Sequence, residues 1–203
     1  MVAIIDYGVG NLFSLGSSLA AAGAEAVVTG DPDVLRSADR LVLPGVGAFG
    51  DAAEALARSG LDRLVLEEAG AGKPLLGICL GMQLLFDESL EYGRHRGLGL
   101  IPGSVRPIAE RVPAGYKIPH IGWNGLLFPE NRSPLFEDVR EGACVYFVHS
   151  FYGADCGQSV IARTEYGALL TAAVARDNVY GVQFHPEKSG PVGLTILKAF
   201  CRL

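Results

Sequence analysis

Short aliphatic runs alternate with helical patterns along the first half of the chain, and this alternation most restricts the possible folds. After Asn11, a residue type that caps helices, leucines recur at steps of three and four until Gly23. Four runs have the length and aliphatic content of buried strands: residues 2–5, 26–29, 40–43 and 74–78. Strands that alternate with helices are typical of βαβ units, so we predict an α/β fold built on a parallel sheet.

Beyond Gly97, strand patterns joined by glycine and proline turns replace this alternation. We predict strands at residues 104–108, 125–128, 145–149, 160–164, 169–176 and 179–184, and we expect them to extend the sheet in the antiparallel direction. A last helix is predicted at residues 192–201. No repeat, low-complexity segment or long linker divides the chain, so residues 1–203 are expected to form one domain.

Charge and cysteine usage restrict the class of partner and the location. The net charge of -5 and the pI near 5.4 offer no basic surface to a phosphate backbone, so nucleic acid is not an expected partner. No apolar run approaches the ~18 residues that cross a bilayer, and residues 1–6 read as the start of a strand without basic residues, so we expect neither export nor membrane insertion. The four cysteines lack CxxC spacing, which favours a reducing cytoplasm. Cys144 and Cys201 lie in apolar segments and are expected to be small buried hydrophobes.

Residues 77–81, Gly-Ile-Cys-Leu-Gly, lie where an apolar strand meets a helix that is expected to carry Met82, Leu85 and Phe86. This pattern is typical of a nucleophile elbow, in which flanking glycines permit a strained turn and leave room for a substrate. Cys79 would then stand at the helix N-terminus, where unpaired amides and the helix dipole favour a thiolate. A buried cysteine at a strand end is the plainer interpretation, but it does not explain the two glycines.

His185 and Glu187, in the segment Gln-Phe-His-Pro-Glu, form a second candidate pair. Pro186 favours extended backbone at the residue before it, and in an extended chain the side chains at i and i+2 point the same way. Glu187 could then accept a proton from one imidazole nitrogen and leave the other nitrogen to act on Cys79 as base and acid. A solvated histidine at a strand end is the alternative for this segment taken alone.

The third candidate is a glycine-rich loop at residues 44–50, Pro-Gly-Val-Gly-Ala-Phe-Gly, again between a strand and a helix. It matches GxGxxG, but a dinucleotide site would follow the first strand and have an acid at a strand end about 20 residues later. Here Glu67 and Glu68 fall in a helical pattern. A loop that offers N–H groups to a developing oxyanion, together with the amide of Leu80, fits better. A simple turn and a nucleotide loop are the alternatives.

Metal chemistry is the remaining alternative to a cysteine nucleophile. The four histidines, at positions 95, 120, 149 and 185, show neither HExxH nor any other tight ligand spacing. We therefore expect no catalytic metal and no organic cofactor.

These three segments, in this order, resemble those of the class I, triad-type glutamine amidotransferases, and the resemblance covers essentially the whole chain. More narrowly, five segments are similar to the family of glutaminase subunits of imidazole glycerol phosphate synthase. They lie at residues 5–11, 44–49, 119–124, 146–150 and 181–189. The Gly-Trp-Asn segment and the His-Pro-Glu-Lys-Ser ending distinguish this family from relatives that serve anthranilate, GMP, CTP or pyridoxal phosphate synthesis.

The resemblance implies a three-layer, flavodoxin-like fold around a mostly parallel mixed sheet, and a glutaminase with a triad of Cys79, His185 and Glu187. It implies that Cys79 attacks the side-chain amide of L-glutamine, that the amides of Val46 and Leu80 hold the oxyanion, and that water hydrolyses the thioester. Five residues are implied to hold the glutamine: Gly47, Gln83, Glu91, Ser150 and Phe151. Phe151 stands where Tyr is expected at least as often, so only its backbone contact is carried over.

In this family pattern Glu91 suits the ammonium group of glutamine, and backbone amides near Ser150 suit its carboxylate. The resemblance further implies a heterodimer in which ammonia passes to a cyclase subunit in histidine biosynthesis. A free-standing cysteine hydrolase on the same elbow, such as a γ-glutamyl hydrolase, is the nearest rival. A scaffold that has lost activity is disfavoured, because Cys79, His185 and Glu187 are all present.

Overall fold

The computed structural model describes residues 1–203, in which thirteen strands form three sheets. In chain order the strands are β1 Val2–Ile5, β2 Ala26–Thr29, β3 Arg40–Leu43, β4 Leu75–Ile78, β5 Phe86–Ser89, β6 His95–Arg96, β7 Ile101–Pro107, β8 His120–Gly125, β9 Cys144–His149, β10 Phe151–Ala154, β11 Val160–Glu165, β12 Leu169–Arg176 and β13 Val179–Val182. Seven of them form the central sheet, in the order β11-β12-β13-β4-β3-β1-β2. The five strands from β13 to β2 are parallel, β12 pairs antiparallel with β13, and β11 pairs antiparallel with β12. The predicted mostly parallel, mixed sheet is therefore confirmed.

The chain contains six α-helices: α1 Leu12–Ala21, α2 Pro32–Ser37, α3 Phe49–Arg58, α4 Leu61–Gly70, α5 Leu80–Leu84 and α6 Gly190–Phe200. Short 3-10 turns cover Ile108–Glu110, Pro134–Phe136, Gly157–Ser159 and Pro186–Lys188. Asp31 caps α2, because its side chain accepts a hydrogen bond from the amide of Asp33 at 2.9 Å. Asn11 occupies the N-cap position of α1, as its residue type suggests, but its side chain makes no capping hydrogen bond.

Side chains that alternate along the central strands bury two apolar clusters, one on each face of the sheet. In β1, Ala3 and Ile5 belong to one cluster, and Val2 and Ile4 belong to the other. The first cluster includes apolar residues of α2, α3 and α4, and the second includes those of α1 and α6. Helices therefore cover both faces, which gives the three layers that a parallel sheet requires. No helix is both long and apolar enough to cross a membrane.

The second half of the chain departs from the predicted antiparallel extension. Only β11 and β12 extend the central sheet in that direction, since β13 runs parallel to β4 with Val182 opposite Ile78. The remaining strands form a four-stranded sheet, β10-β7-β5-β6, and the two-stranded β8–β9 ribbon. The strand predicted at 125–128 is wrong, because β8 ends at Gly125. Phe86, predicted in a helix, begins β5, since α5 stops at Leu84.

Candidate active site

Cys79 lies at the carboxyl end of β4, the edge at which ligands of open α/β sheets bind. Its backbone has φ 55° and ψ -111°, outside the regions that residues with a side chain normally occupy. The chain turns at this residue from β4 directly into α5, so the cysteine precedes the first helical residue, Leu80. A strained strand-to-helix turn of this kind is a nucleophile elbow.

The glycines on either side of the elbow are required by close backbone packing. A Cβ atom at Gly77 would lie 2.6 Å from the carbonyl oxygen of Gly81, and one at Gly81 would lie 1.8 Å from the carbonyl oxygen of Leu43. Neither glycine has a positive φ, so the strained conformation belongs to Cys79 itself. The pattern therefore predicts the elbow, but the glycines serve the packing of β3, β4 and α5 and not the backbone angles of the turn.

His185 and Glu187 reach Cys79 from the neighbouring strand of the sheet. The chain that leaves β13, the partner of β4, brings His185 into the same cleft as Cys79. Nδ1 of His185 lies 2.8 Å from Oε1 of Glu187, and the two side chains are only 5% and 3% exposed. Because Nδ1 faces a carboxylate, it carries a proton and leaves Nε2 for Cys79.

The surroundings of His185 favour its protonated form. Burial alone would lower the pKa of His185, but hydrogen bonds to Cys79 and Glu187, and the charges of these two groups, raise it to about 9. Oε2 of Glu187 is buried and accepts no hydrogen bond from the protein, so this carboxylate interacts through Oε1 with His185. The arrangement can hold a proton next to Cys79 and exchange it with a reacting group.

A 3-10 turn, and not extended chain, brings Glu187 to His185. His185 itself is extended, with φ -98° and ψ 98°, as the following proline predicts. The turn Pro186–Lys188 then directs Glu187 back to Nδ1. Ser189 secures the turn, because its hydroxyl donates to the carbonyl of His185 at 2.6 Å and accepts from the amide of Tyr146 at 3.0 Å. The two side chains meet as expected, but the expected backbone geometry is wrong.

The glycine-rich loop lies beside the elbow, at the carboxyl end of β3. Gly45 is tightly packed, because a Cβ atom there would lie 2.9 Å from the amide nitrogen of Gly81. Gly47 has φ 97°, a conformation that favours glycine. Val46 is 45% exposed, and neither its amide nor that of Gly47 donates a hydrogen bond within the protein. The loop therefore presents free N–H groups in the same cleft as Leu80, whose amide starts a helix and has no intrahelical acceptor.

A cleft of about 390 Å³, a volume typical of small-molecule sites, opens beside Cys79 and His185. Every residue expected to contact the oxyanion or the glutamine lines this cleft: Val46, Gly47, Leu80, Gln83, Glu91, Ser150 and Phe151. Glu187 does not line it and lies behind His185. The cleft also contains Tyr92, Pro119 and Lys188, which the sequence patterns did not single out.

Two glutamine side chains connect the elbow to β10. Nε2 of Gln83 donates to Oε1 of Gln183 at 3.0 Å and to the carbonyl of Phe151 at 3.2 Å. Nε2 of Gln183 in turn lies 3.7 Å from Sγ of Cys79. The sequence patterns did not single out Gln183, which reaches Cys79 because it directly follows β13, the strand that pairs with β4.

Glu91 contributes a buried carboxylate to the cleft. Its Oε2 accepts a hydrogen bond from the amide of Phe49, the first residue of α3, at 2.6 Å. A carboxylate at this position also stabilises the positive end of the helix. Tyr92, the next residue, has φ 51° and sets its ring edge-on to Phe151, with 6.2 Å between centroids. Glu91 therefore supports the start of α3 with one oxygen, while its other oxygen makes no hydrogen bond within the protein.

His149 and His120 form a buried pair that no local motif predicts. Nδ1 of His149 lies 2.8 Å from the carbonyl oxygen of Phe151, so this nitrogen carries a proton. Nε2 of His149 lies 3.0 Å from Nδ1 of His120, its partner across the β8–β9 ribbon. Burial lowers the pKa of His149 to about 3, and burial also lowers the pKa of His120. His149 is thus a neutral ring that orients the carbonyl of Phe151 in the cleft wall.

The other three cysteines lack the partners of Cys79. Cys156 is buried with its Sγ 3.8 Å from Oγ1 of Thr171, and burial raises its pKa. Cys201 is half-buried, and burial raises its pKa also. Cys144 is exposed, so the prediction of a buried role is wrong for this residue. The alternation of β9 buries Val145 and turns Cys144 outward.

Comparison with protein families connects this geometry to a known group of enzymes. The family described as "Glutamine amidotransferase class-I" matches residues 3–202, almost the entire chain. The chain belongs to the class-I glutamine amidotransferase family. The three segments that build the amidotransferase cleft, after β3, β4 and β13, all lie within the matched range.

Curated relatives resemble this glutamine amidotransferase over their whole length. A protein of Wolinella succinogenes is 50% identical over 205 residues, covering 100% of both chains. One of Methanothermobacter thermautotrophicus is 50% identical over 203 residues, covering 100% of this chain and 98% of the relative. Each relative is named imidazole glycerol phosphate synthase subunit HisH.

Solved structures share the fold of this glutamine amidotransferase. One described as a glutamine amidotransferase has a TM-score of 0.75 at 20% identity and covers 98% of both chains. PurLQS from Thermotoga maritima has a TM-score of 0.77 at 22% identity, covering 99% of this chain and 97% of that one. This likeness concerns the fold, and it confirms the predicted fold class.

Proposed function

We propose that this glutamine amidotransferase hydrolyses L-glutamine to L-glutamate and ammonia, with Cys79 as nucleophile, His185 as acid and base, and Glu187 orienting His185. The observation that carries the proposal is the buried pair of His185 and Glu187, with Nδ1 and Oε1 2.8 Å apart, in the same cleft as a cysteine at a strained elbow. A cysteine with a merely structural role needs neither a positive φ nor an oriented histidine.

The reaction runs through a thioester. The proton of the Cys79 thiol already resides on Nε2 of His185, and Sγ attacks the side-chain amide carbon of glutamine as a thiolate. The C–N bond of the tetrahedral intermediate then breaks as His185 returns that proton to the departing nitrogen, which leaves as ammonia. Water, deprotonated by the now neutral His185, attacks the thioester, and glutamate forms as sulfur leaves as a thiolate beside the reprotonated His185.

Both tetrahedral intermediates carry a negative oxygen that needs donors already in place. We assign this role to the amides of Val46 and Leu80, because both residues line the cleft beside Cys79. One such donor contributes about 3–4 kcal/mol to the transition state. The glutamine ammonium group is assigned to the carboxylate of Glu91 and the glutamine carboxylate to backbone amides near Ser150. Three further residues complete the substrate contacts: Gly47, Gln83 and Phe151.

The ammonia is proposed to pass to a cyclase subunit, in a cytoplasmic heterodimer that acts in histidine biosynthesis and in which residues 1–203 form a single glutaminase domain. Support comes from the identity of 50% with full-length proteins named as subunits of imidazole glycerol phosphate synthase. Two apolar side chains are also exposed shortly after the cleft residue Pro119 in the chain: Ile121 is 58% exposed and Trp123 is 55% exposed. Such a surface fits a protein partner.

The experiment that tests the proposal compares the wild-type chain with Cys79→Ala, each combined with the cyclase subunit of the same organism. Cys79→Ala is expected to lower glutamine-dependent turnover by a factor of about 10⁴ or more, because it removes the nucleophile. Ammonium salts added directly should still support the cyclase reaction. Cys144→Ala, which removes an exposed thiol, is the matched control and should keep full activity. Glutamine hydrolysis retained by Cys79→Ala would exclude Cys79 as nucleophile.

A free-standing cysteine hydrolase on the same elbow is the alternative function. The two functions differ in the effect of a partner on ammonia release from glutamine. Our proposal expects this rate to rise strongly when the cyclase subunit and its nucleotide ligand are added. A rate that is high for the isolated chain and unchanged by the partner would favour the free-standing hydrolase.

A further inference from the structure

The hydroxyl of Tyr7 makes a buried contact with the start of the glycine-rich loop. It donates a hydrogen bond to the carbonyl oxygen of Pro44 at 2.8 Å, and the side chain is only 7% exposed. Pro44 stands two residues before Val46, the proposed oxyanion donor. Tyr7 does not line the cleft, so its contact is with the loop and not with the substrate.

The sheet places Tyr7 at this position. β1 and β3 are parallel neighbours, so the chain segments that leave them run side by side at the same edge of the sheet. The amide of Asp6 donates to the carbonyl of Thr29 at 2.9 Å, which ties the segment after β1 to β2. Gly10 returns the same segment to Pro44, where a Cβ atom at Gly10 would lie 3.2 Å from the proline side chain. The segment after β1 therefore contacts Pro44 twice, through the hydroxyl of Tyr7 and through the backbone of Gly10.

The opposite side of the loop is closed by the elbow. A Cβ atom at Gly45 would lie 2.9 Å from Cβ of Leu80 and 3.0 Å from the hydroxyl oxygen of Tyr7. The carbonyl of Pro44 and the N–H of Gly45 belong to one planar peptide group, so a bond to that carbonyl fixes the orientation of the plane. The N–H of Val46 belongs to the next peptide group. Glycine alone would leave rotation between the two groups free, but Gly45 is packed closely against Leu80 and Gly81, and this packing limits the rotation. The fixed plane therefore sets the direction in which the loop begins.

Tyr7 remains a hydrogen-bond donor at neutral and alkaline pH. Burial, followed by the charge of Cys79, raises the pKa of Tyr7 above its ordinary value, so the hydroxyl keeps its proton. The same interaction means that the two side chains lie close together. A variant at Tyr7 could therefore act on the thiol as well as on the loop.

We propose that Tyr7 is a positioning residue for glutamine hydrolysis, which through the carbonyl of Pro44 holds the glycine-rich loop so that the amide of Val46 faces the oxyanion. This inference rests on the proposed function. The contact acts on the transition state more than on substrate binding, because the neutral carbonyl of bound glutamine gains less from the donor than the oxyanion does.

Tyr7→Phe tests the inference, since it removes the hydroxyl and keeps the ring. Tyr166→Phe is the matched control, because the hydroxyl of Tyr166 also donates to a carbonyl, that of Lys117, at 2.8 Å. Both variants are assayed as full chains with the cyclase subunit, and active sites are counted with a diazo ketone analogue of glutamine. For Tyr7→Phe we expect kcat per counted site to fall about 10-fold, with KM within about 2-fold of wild type. Tyr166→Phe should match wild type in both constants.

Alkylation of Cys79 by iodoacetamide separates an effect on the loop from an effect on the thiol, since this displacement forms no oxyanion. Peptide mass spectrometry should find the rate in Tyr7→Phe within about 2-fold of wild type. An unchanged kcat per site, or a fall in alkylation as large as the fall in kcat, would overturn the inference. If the wild-type complex hydrolyses no glutamine, the proposed function fails and the inference falls with it.

Discussion

The backbone of Cys79 concentrates the strain of the site in a single residue. Its φ of 55° is a conformation that costs a residue with a side chain on the order of 1–3 kcal/mol. The strain persists because the close packing at Gly77 and Gly81 fixes how α5 begins. Strain of this kind clusters at functional sites, and here the strained residue shares a cleft with His185.

The protonation of His185 gives a prediction at the same scale. Glu187→Gln keeps the shape of the side chain and removes its charge, so the pKa of His185 should fall from about 9. An opposite charge in direct contact changes a pKa by about 1–3, and we expect the pKa of His185 to fall by this amount. NMR titration of the imidazole Cε1–H measures it. An unchanged pKa would mean that Cys79 alone holds the proton on His185.

The same substitution should alter how stability depends on pH. A histidine whose pKa is raised by folding stabilises the protein fully below its unfolded pKa of about 6.5. That contribution is lost as the pH rises through the folded value of about 9. Urea unfolding of the wild type should therefore give a decreasing free energy of unfolding across this window. Glu187→Gln should show a smaller decrease, and equal decreases would contradict the role of the carboxylate.

Site residues with a local signature could be predicted from the sequence, whereas those set by pairing between distant strands could not. Cys79 between glycines and His185 before a proline belong to the first kind. Gln183 and His149 belong to the second kind. They reach the cleft because β13 pairs with β4 and β9 pairs with β8, and such pairing leaves no pattern within either segment.

Among the elements, the first four central strands were predictable to within one residue. Two of them, β1 and β4, are buried at every residue inside the parallel sheet and form continuous apolar runs. The edge strand β2 is only partly buried, but its aliphatic residues give the same pattern. The later strands carry a pattern that is the same whether a strand extends the central sheet or forms a separate one, so their partners were not predictable. Phe86 shows the limit of periodicity, because its spacing from Met82 fits a helix although it is fully buried in β5.

The elbow should be the element least tolerant of an added methyl group. In Gly81→Ala the Cβ atom would lie 1.8 Å from the carbonyl oxygen of Leu43, and this oxygen belongs to the backbone of β3. We expect the free energy of unfolding to fall by more than about 4 kcal/mol. Gly70→Ala is the control, because nothing lies within 4 Å of a Cβ atom there, and it should change stability by less than about 1 kcal/mol. Equal stabilities in urea unfolding would refute the packing argument.

In the whole molecule, the cleft forms where chain segments far apart in sequence end at one edge of the central sheet. The glycine-rich loop follows β3, the elbow follows β4, and the turn with His185 and Glu187 follows β13. The β8–β9 ribbon then adds His149 and the start of β10 to the cleft. The ribbon also turns the alternate residues of β8 outward, so it connects the cleft with an exposed apolar surface.

The last prediction concerns this outer face of the ribbon. Trp123 is 55% exposed, lies two residues from the equally exposed Ile121, and packs edge-on against Tyr146 at 5.9 Å between ring centroids. A held aromatic ring in an apolar patch is typical of residues that dominate binding energy. Trp123→Ala should therefore raise the Kd for the cyclase subunit about 10- to 100-fold in calorimetry. Leu66→Ala on α4 is the control, because α4 and the ribbon pack on opposite faces of the central sheet. It removes a side chain that is 40% exposed and should leave the Kd unchanged. Trp123 lies on the ribbon that contributes to the Cys79 cleft, whereas Leu66 lies on α4. Equal Kd values for the two variants would therefore mean that the cyclase subunit binds at another surface.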